Sequence, residues 1–113
     1  MKVTEALIEK QILRALNLLP GVFAWKSMDQ KAYRDGIYQK GSSYQIRGVS
    51  DIICLKDSKA YFLEVKTHQG KQSQYQMTFE KKVKETGNNY AVVRSVDDAL
   101  KAIDHNPITD IMR

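Results

Sequence analysis

The chain has 113 residues, 42% of them hydrophobic, with a formal net charge of +5. That length suits one compact domain around one core, and the apolar fraction excludes an intrinsically disordered chain. No apolar run could span a bilayer, no signal-type core opens the chain, and a single cysteine excludes an internal disulfide or a thiolate metal cluster, so a cytoplasmic protein is expected.

Thr4 is placed to cap a helix over residues 5–19, in which Ile8, Ile12, Ala15, Leu16 and Leu19 recur at helical spacing. Glu5 and Glu9 flank that apolar face one turn apart. Each reads either as a solvated charge favoured near a helix N-terminus, or as a carboxylate that reaches over a sheet toward a metal. Pro20-Gly21 ends the helix, and residues 22–26 read as a first strand. Residues 27–47 form a long polar insert without periodicity. There Lys31, Arg34, Lys40 and Arg47 interleave with Tyr33, Tyr38 and Tyr44. Such a mixture suits contact with phosphates and unstacked bases; a solvated loop with locally packed tyrosines is the plainer reading.

Residues 48–66, GVSDIICLKDSKAYFLEVK, organise the rest of the chain. Two apolar runs, 52–55 and 60–63, read as the strands of a hairpin joined by a polar loop, 56–59. Asp51 stands where the first strand begins; Glu64 and Lys66 stand where the second ends. Alternation along a strand sends Glu64 and Lys66 to one face and Val65 to the other. Three charged groups thus meet at one end of an apolar sheet, where charge is costly unless compensated. A Mg2+ or Mn2+ ion held by Asp51, Glu64 and the Val65 carbonyl, with Lys66 beside it, compensates them and suits hydrolysis of a phosphodiester. The plainer alternative is a salt bridge between Lys66 and a carboxylate at the sheet end.

A turn over residues 67–71 leads into a second predicted helix, 73–85, with Phe79 and Val83 on its buried face. Ser73 and Gln76 have the spacing of a capping box. Residues 90–93 read as a buried strand, Ser95 caps a short helix over 96–103, and residues 104–113 carry no clear signal. The expected fold is α/β, with a mixed central sheet flanked by helices.

Several ordered motifs together carry a resemblance: Gly48-Val49-Ser50-Asp51, Glu64-Val65-Lys66, Gly70-Lys71-Gln72-Ser73-Gln74-Tyr75-Gln76 and Ala91-Val92-Val93-Arg94-Ser95-Val96-Asp97-Asp98. The chain resembles the virus-type replication–repair nucleases (VRR-NUC) of the PD-(D/E)XK superfamily, in their stand-alone phage and bacterial form. The resemblance implies a restriction-endonuclease-like core in a single domain over residues 1–113. It implies Asp51 and Glu64 as metal ligands, Lys66 as catalytic lysine and Gln76 as a helix-borne site residue. It also implies an N-terminal-helix glutamate, here Glu9 with Glu5 in reserve. Ser50 stands where the family usually has proline. The implied activity is a Mg2+- or Mn2+-dependent endodeoxyribonuclease that resolves four-way (Holliday) junctions as a homodimer. The insert is less standard for the family, and it is on their charge that Lys26, Lys31, Arg34, Lys40, Arg47 and Lys71 are expected to contact DNA. A flap-cutting or nicking nuclease, or a DNA-binding module without turnover, are the alternatives.

Overall fold

The computed structural model describes residues 2–27, 32–34, 37–39 and 46–105, the two short middle pieces as backbone. The elements are α1 (Glu5–Asn17), β1 (Val22–Lys26), β2 (Ala32–Arg34), β3 (Ile37–Gln39), β4 (Ile52–Lys56), β5 (Lys59–Val65), α2 (Gln74–Glu85), β6 (Asn89–Val93) and α3 (Val96–Ala102). The main sheet has the order β1-β4-β5-β6. β4 pairs antiparallel with both β1 and β5, and β5 and β6 pair in parallel through the α2 crossover, so the sheet is mixed. Among the described residues no helix is long and apolar enough to cross a membrane.

The helices begin where side chains can satisfy their free N–H groups. Thr4 accepts from the Leu7 N–H, Ser73 from Gln76 and Ser95 from Asp98. Ile8, Ile12 and Leu16 of α1 then face one side of the sheet, where Ile52, Cys54, Leu63, Val65 and Val93 alternate inward and Ala99 and Ile103 close the layer. Burial of each large aliphatic side chain here contributes roughly 1.5–3 kcal/mol. The other face is covered by α2, whose Phe79 and Val83 meet Phe62, Tyr90 and Val92. Cys54 is fully buried, and loss of solvation pushes its thiol up to about 11.

Asn17 closes the exposed edge of β1. Its amide donates to the Ala24 carbonyl at 2.9 Å and accepts from the Ala24 N–H at 2.9 Å, completing the edge as another strand would. Asn17→Ala is expected to cost about 1–3 kcal/mol by stranding that donor and acceptor, read as a shift in urea-unfolding midpoint without change in slope.

Two expectations change. The hairpin loop between β4 and β5 is only Asp57-Ser58, both with positive φ (53° and 63°), as a type I′ turn requires. Lys56 therefore lies in the ladder and is buried; its ammonium donates to the Ile103 and Asp104 carbonyls and pairs with Asp57. The insert read as aperiodic contains β2 and β3, which pair as an antiparallel hairpin. Of the basic residues expected to meet DNA there, Lys31 and Lys40 lie outside the described residues, and so does the Arg34 side chain.

Candidate active site

The start of β4 is pinned from both sides. The Ser27 N–H donates to the Asp51 carbonyl at 2.8 Å, and Asp51 Oδ2 accepts from the Val65 N–H at 2.7 Å. The second bond ties the carboxylate across the end of β5. Glu64 is 1% exposed and Lys66 9%, and they share a face, as strand alternation requires; Val65 turns its side chain into the opposite, fully buried layer. Lys66 Nζ stands 3.8 Å from Glu64 Oε2.

Gln76 connects α2 to this cluster. Its Oε1 accepts from the Ser73 N–H at 2.8 Å, completing the capping box, and its Nε2 donates to Glu64 Oε2 at 3.0 Å. Gln76 caps α2 and bonds Glu64 at once, because an amide has an acceptor end and a donor end. Gln76→Ala is expected to lower stability by about 1 kcal/mol through the lost cap. Gln76→Glu, which can still accept from Ser73, is expected to recover part of that in thermal melts.

Glu64 is the electrostatic centre. Burial first, then the neighbouring Asp51 carboxylate, push its carboxyl up to about 9; Lys66 opposes this and the charge of Glu5 adds to it. Both Gln76 and Lys66 approach Oε2, whereas Oε1 is buried with no donor among the described residues. A buried carboxylate oxygen without a donor, beside a second carboxylate, is a costly arrangement that a proton relieves in the metal-free chain and that a cation would relieve in its place. No three His, Cys, Asp or Glu side chains gather into a metal cage among the described residues. The two carboxylates, joined by the Val65 carbonyl expected from the sequence, would make a set that fits Mg2+ or Mn2+ retaining several waters.

Glu9 and Glu5 part ways. Glu9 Oε1 pairs with Lys26 Nζ at 3.2 Å, while Glu5 is the α1 carboxylate whose charge is felt at Glu64. Lys26 is thereby tied to α1. Lys71 is exposed on the turn before α2. Arg47 is exposed near the site: its Nη1 donates to the Tyr75 hydroxyl at 2.8 Å, and its guanidinium lies 5.0 Å from the centre of the Tyr75 ring.

Three further residues shape the site without having been singled out as site residues from the sequence. Gly48, at φ +81°, lets the backbone pass so close to α2 that a β-carbon would lie 2.3 Å from the Tyr75 carbonyl. Tyr75 bears on Arg47, and Arg94 bears on the turn after Lys66. Gly48 and Arg94 stand inside the quoted motifs, but the contacts that define them join distant segments and leave no local pattern.

Searches by sequence against protein-family models and curated proteins return no match. By structure, the chain is similar to a solved structure described as a VRR_NUC domain, with TM-score 0.61 and 22% sequence identity, over 89% of this chain and 95% of that one. The chain has the VRR_NUC fold. The α/β core with its mixed sheet, expected from the order of elements, is that fold, and Asp51, Glu64 and Lys66 lie together at the end of its β4–β5 hairpin.

Proposed function

We propose that the chain is a divalent-metal-dependent endodeoxyribonuclease of the VRR-NUC family, and that it resolves four-way DNA junctions as a homodimer. The observation that carries the metal-dependent reading is the orphaned Glu64 Oε1 beside Asp51, with the Lys66 ammonium against the other oxygen. Asp51, Glu64 and the Val65 carbonyl hold the ion. Bound there, a divalent cation supplies a more acidic water and charge for the phosphodiester transition state. Asp51 keeps its aim through the Val65 N–H, and Gln76 fixes the rotation of the Glu64 carboxyl. Lys66 orients the attacking water or faces the charge that develops on the phosphate. Glu5 takes the place of the N-terminal-helix carboxylate in this reading, because Glu9 is engaged by Lys26.

Arg47, Lys26 and Lys71, with Lys31, Arg34 and Lys40 of the insert, supply contacts to the phosphate backbone, consistent with a net charge of +5. Paired cuts in opposed strands need two sites, hence two copies of the chain.

The test is cleavage of a labelled four-way junction beside matched duplex and flap substrates, with Mg2+, Mn2+ or EDTA. Paired, metal-dependent cuts confined to the junction are expected. Lys66→Ala is expected to slow them by roughly 10²–10⁴-fold while the variant still binds the junction. Cuts mainly in flaps or duplex overturn the junction assignment, and tight binding without any cleavage overturns the enzyme.

A further inference from the structure

The chain leaves β5 at Val65, places Lys66 and then makes a turn over residues 67–70. The Lys66 N–H donates to the Val93 carbonyl at 3.0 Å, which extends the parallel ladder by one residue, and the Gly70 N–H closes the turn on the Thr67 carbonyl at 3.0 Å. Arg94 follows Val93. A single nitrogen of its guanidinium, Nη1, donates to the carbonyls of Thr67, His68 and Gly70 at 2.5, 3.3 and 2.8 Å. Its own backbone N–H donates to Asp98 Oδ2 at 2.9 Å, in the first turn of α3. The end of β6 thus gathers the turn from beneath and is itself anchored to a helix.

That turn lies beside the lysine. A β-carbon at Gly70 would sit 3.3 Å from Lys66 Cδ, 3.4 Å from Lys66 Cβ and 3.3 Å from Thr67 Oγ1. The turn therefore leaves room for no larger residue at position 70 without displacing the aliphatic stem whose ammonium stands 3.8 Å from Glu64. A lysine stem has many rotamers, and fixing it costs conformational entropy unless a wall restricts it beforehand. The turn is that wall, and Arg94 holds the wall in place. The guanidinium suits the task, since it is planar and presents its N–H donors in a fixed fork. A lysine at position 94 would bring a point charge without the plane.

We propose that Arg94 is a positioning residue for Lys66, acting through the turn over residues 67–70. The proposal rests on the nuclease reading for its effect on cleavage, but its structural half stands apart from it.

The test compares wild type, Arg94→Ala and Gly70→Ala. Single-turnover junction cleavage in Mg2+ is measured beside junction affinity in Ca2+, and both beside the Lys66 side-chain NMR signal and amide exchange at position 70. Arg94→Ala is expected to slow cleavage about 10–100-fold, with affinity changed less than about threefold. Amide exchange at Gly70 should quicken and the Lys66 signal should move. Added methylguanidinium should recover a good part of the rate. Gly70→Ala, with Arg94 intact, should slow cleavage and move the Lys66 signal in the same way, and it decides the matter if Arg94→Ala does not fold. Cleavage near the wild-type rate in both variants overturns the proposal, as does a loss that falls on affinity alone. If the wild type cleaves nothing, the nuclease reading fails. The Lys66 signal and the Gly70 exchange then still decide the positioning role: unchanged in the variants, they overturn it.

Discussion

Glu64→Gln is expected to make the metal-free protein more stable and, at the same time, to end its cleavage. The two effects have one cause. In the folded chain the Glu64 carboxyl is pushed up to about 9 from an ordinary value of 4.5, first by burial and then by Asp51. Between those values the folded state holds a proton that the unfolded state has released. Unfolding then releases a proton, so stability falls as pH rises through that window, by at most about 1.4 kcal/mol per pH unit from this group. Below pH 4.5 both states are protonated and this cost is absent. Glutamine carries no such cost, still accepts from Gln76 in one orientation, and removes the slope. At pH 7 the gain is at most about 3 kcal/mol. Metal is expected to reverse the picture, because a cation held by Glu64 would compete with that proton and so bind more tightly as pH rises. Urea unfolding at pH 5, 7 and 9, with EDTA or with Mg2+, checks both signs. The expected loss of cleavage is on the order of a thousandfold, about 4 kcal/mol of transition-state stabilisation. A variant that is less stable than wild type at pH 8 without metal would contradict this account of Glu64.

The second large effect is expected at a residue without a side chain. Gly48→Ala places a β-carbon 2.3 Å from backbone atoms of Tyr75 and 2.6 Å from the Gln76 nitrogen, at a φ of +81°. Nothing flexible is available to yield, since the obstacles are the backbone of the first turn of α2. Either Gly48 or the helix start must move, and Gln76 moves with the helix. The expected cost is about 3–5 kcal/mol, the sum of left-handed strain and overpacking. Gly87→Ala is the control. It has a similar φ of +83° but nothing within 4 Å of the added carbon, so only the backbone preference is lost, about 1 kcal/mol. Denaturant unfolding of the two variants separates close approach from conformational strain. Amide NMR of Gly48→Ala should show shifts that run from α2 into Glu64. Equal costs for the two variants would mean that the contact with α2 does not matter.

Much of this architecture is legible in the residues themselves. The caps at Thr4, Ser73 and Ser95 announce their helices, because each hydroxyl stands three residues before an N–H it can satisfy. Asp51 and the Glu64–Lys66 pair are legible as a cluster, because strand alternation and an antiparallel turn allow few other arrangements. The length of that turn is less so. Asp57-Ser58 lacks the glycine or asparagine that marks a two-residue turn, so the loop reads as longer and takes in Lys56. The choice between Glu5 and Glu9 depends on how α1 is rotated over the sheet, which its own periodicity leaves open by one turn. Gly48 and Arg94 act through partners distant in sequence, at Tyr75 and at Thr67 to Gly70, and such meetings leave no trace in spacing.

The buried thiol of Cys54 has a practical consequence. With its ionisation pushed up to about 11 and no exposure to solvent, it offers almost no thiolate to alkylating reagents at neutral pH. The native chain therefore behaves as a cysteine-free background. A cysteine introduced at an exposed position, such as Lys71 or Leu18, becomes the one reactive handle on each copy. Spin labels or fluorophores placed there can report the distance between two copies, or between the chain and a labelled DNA arm, without first removing a residue from the core.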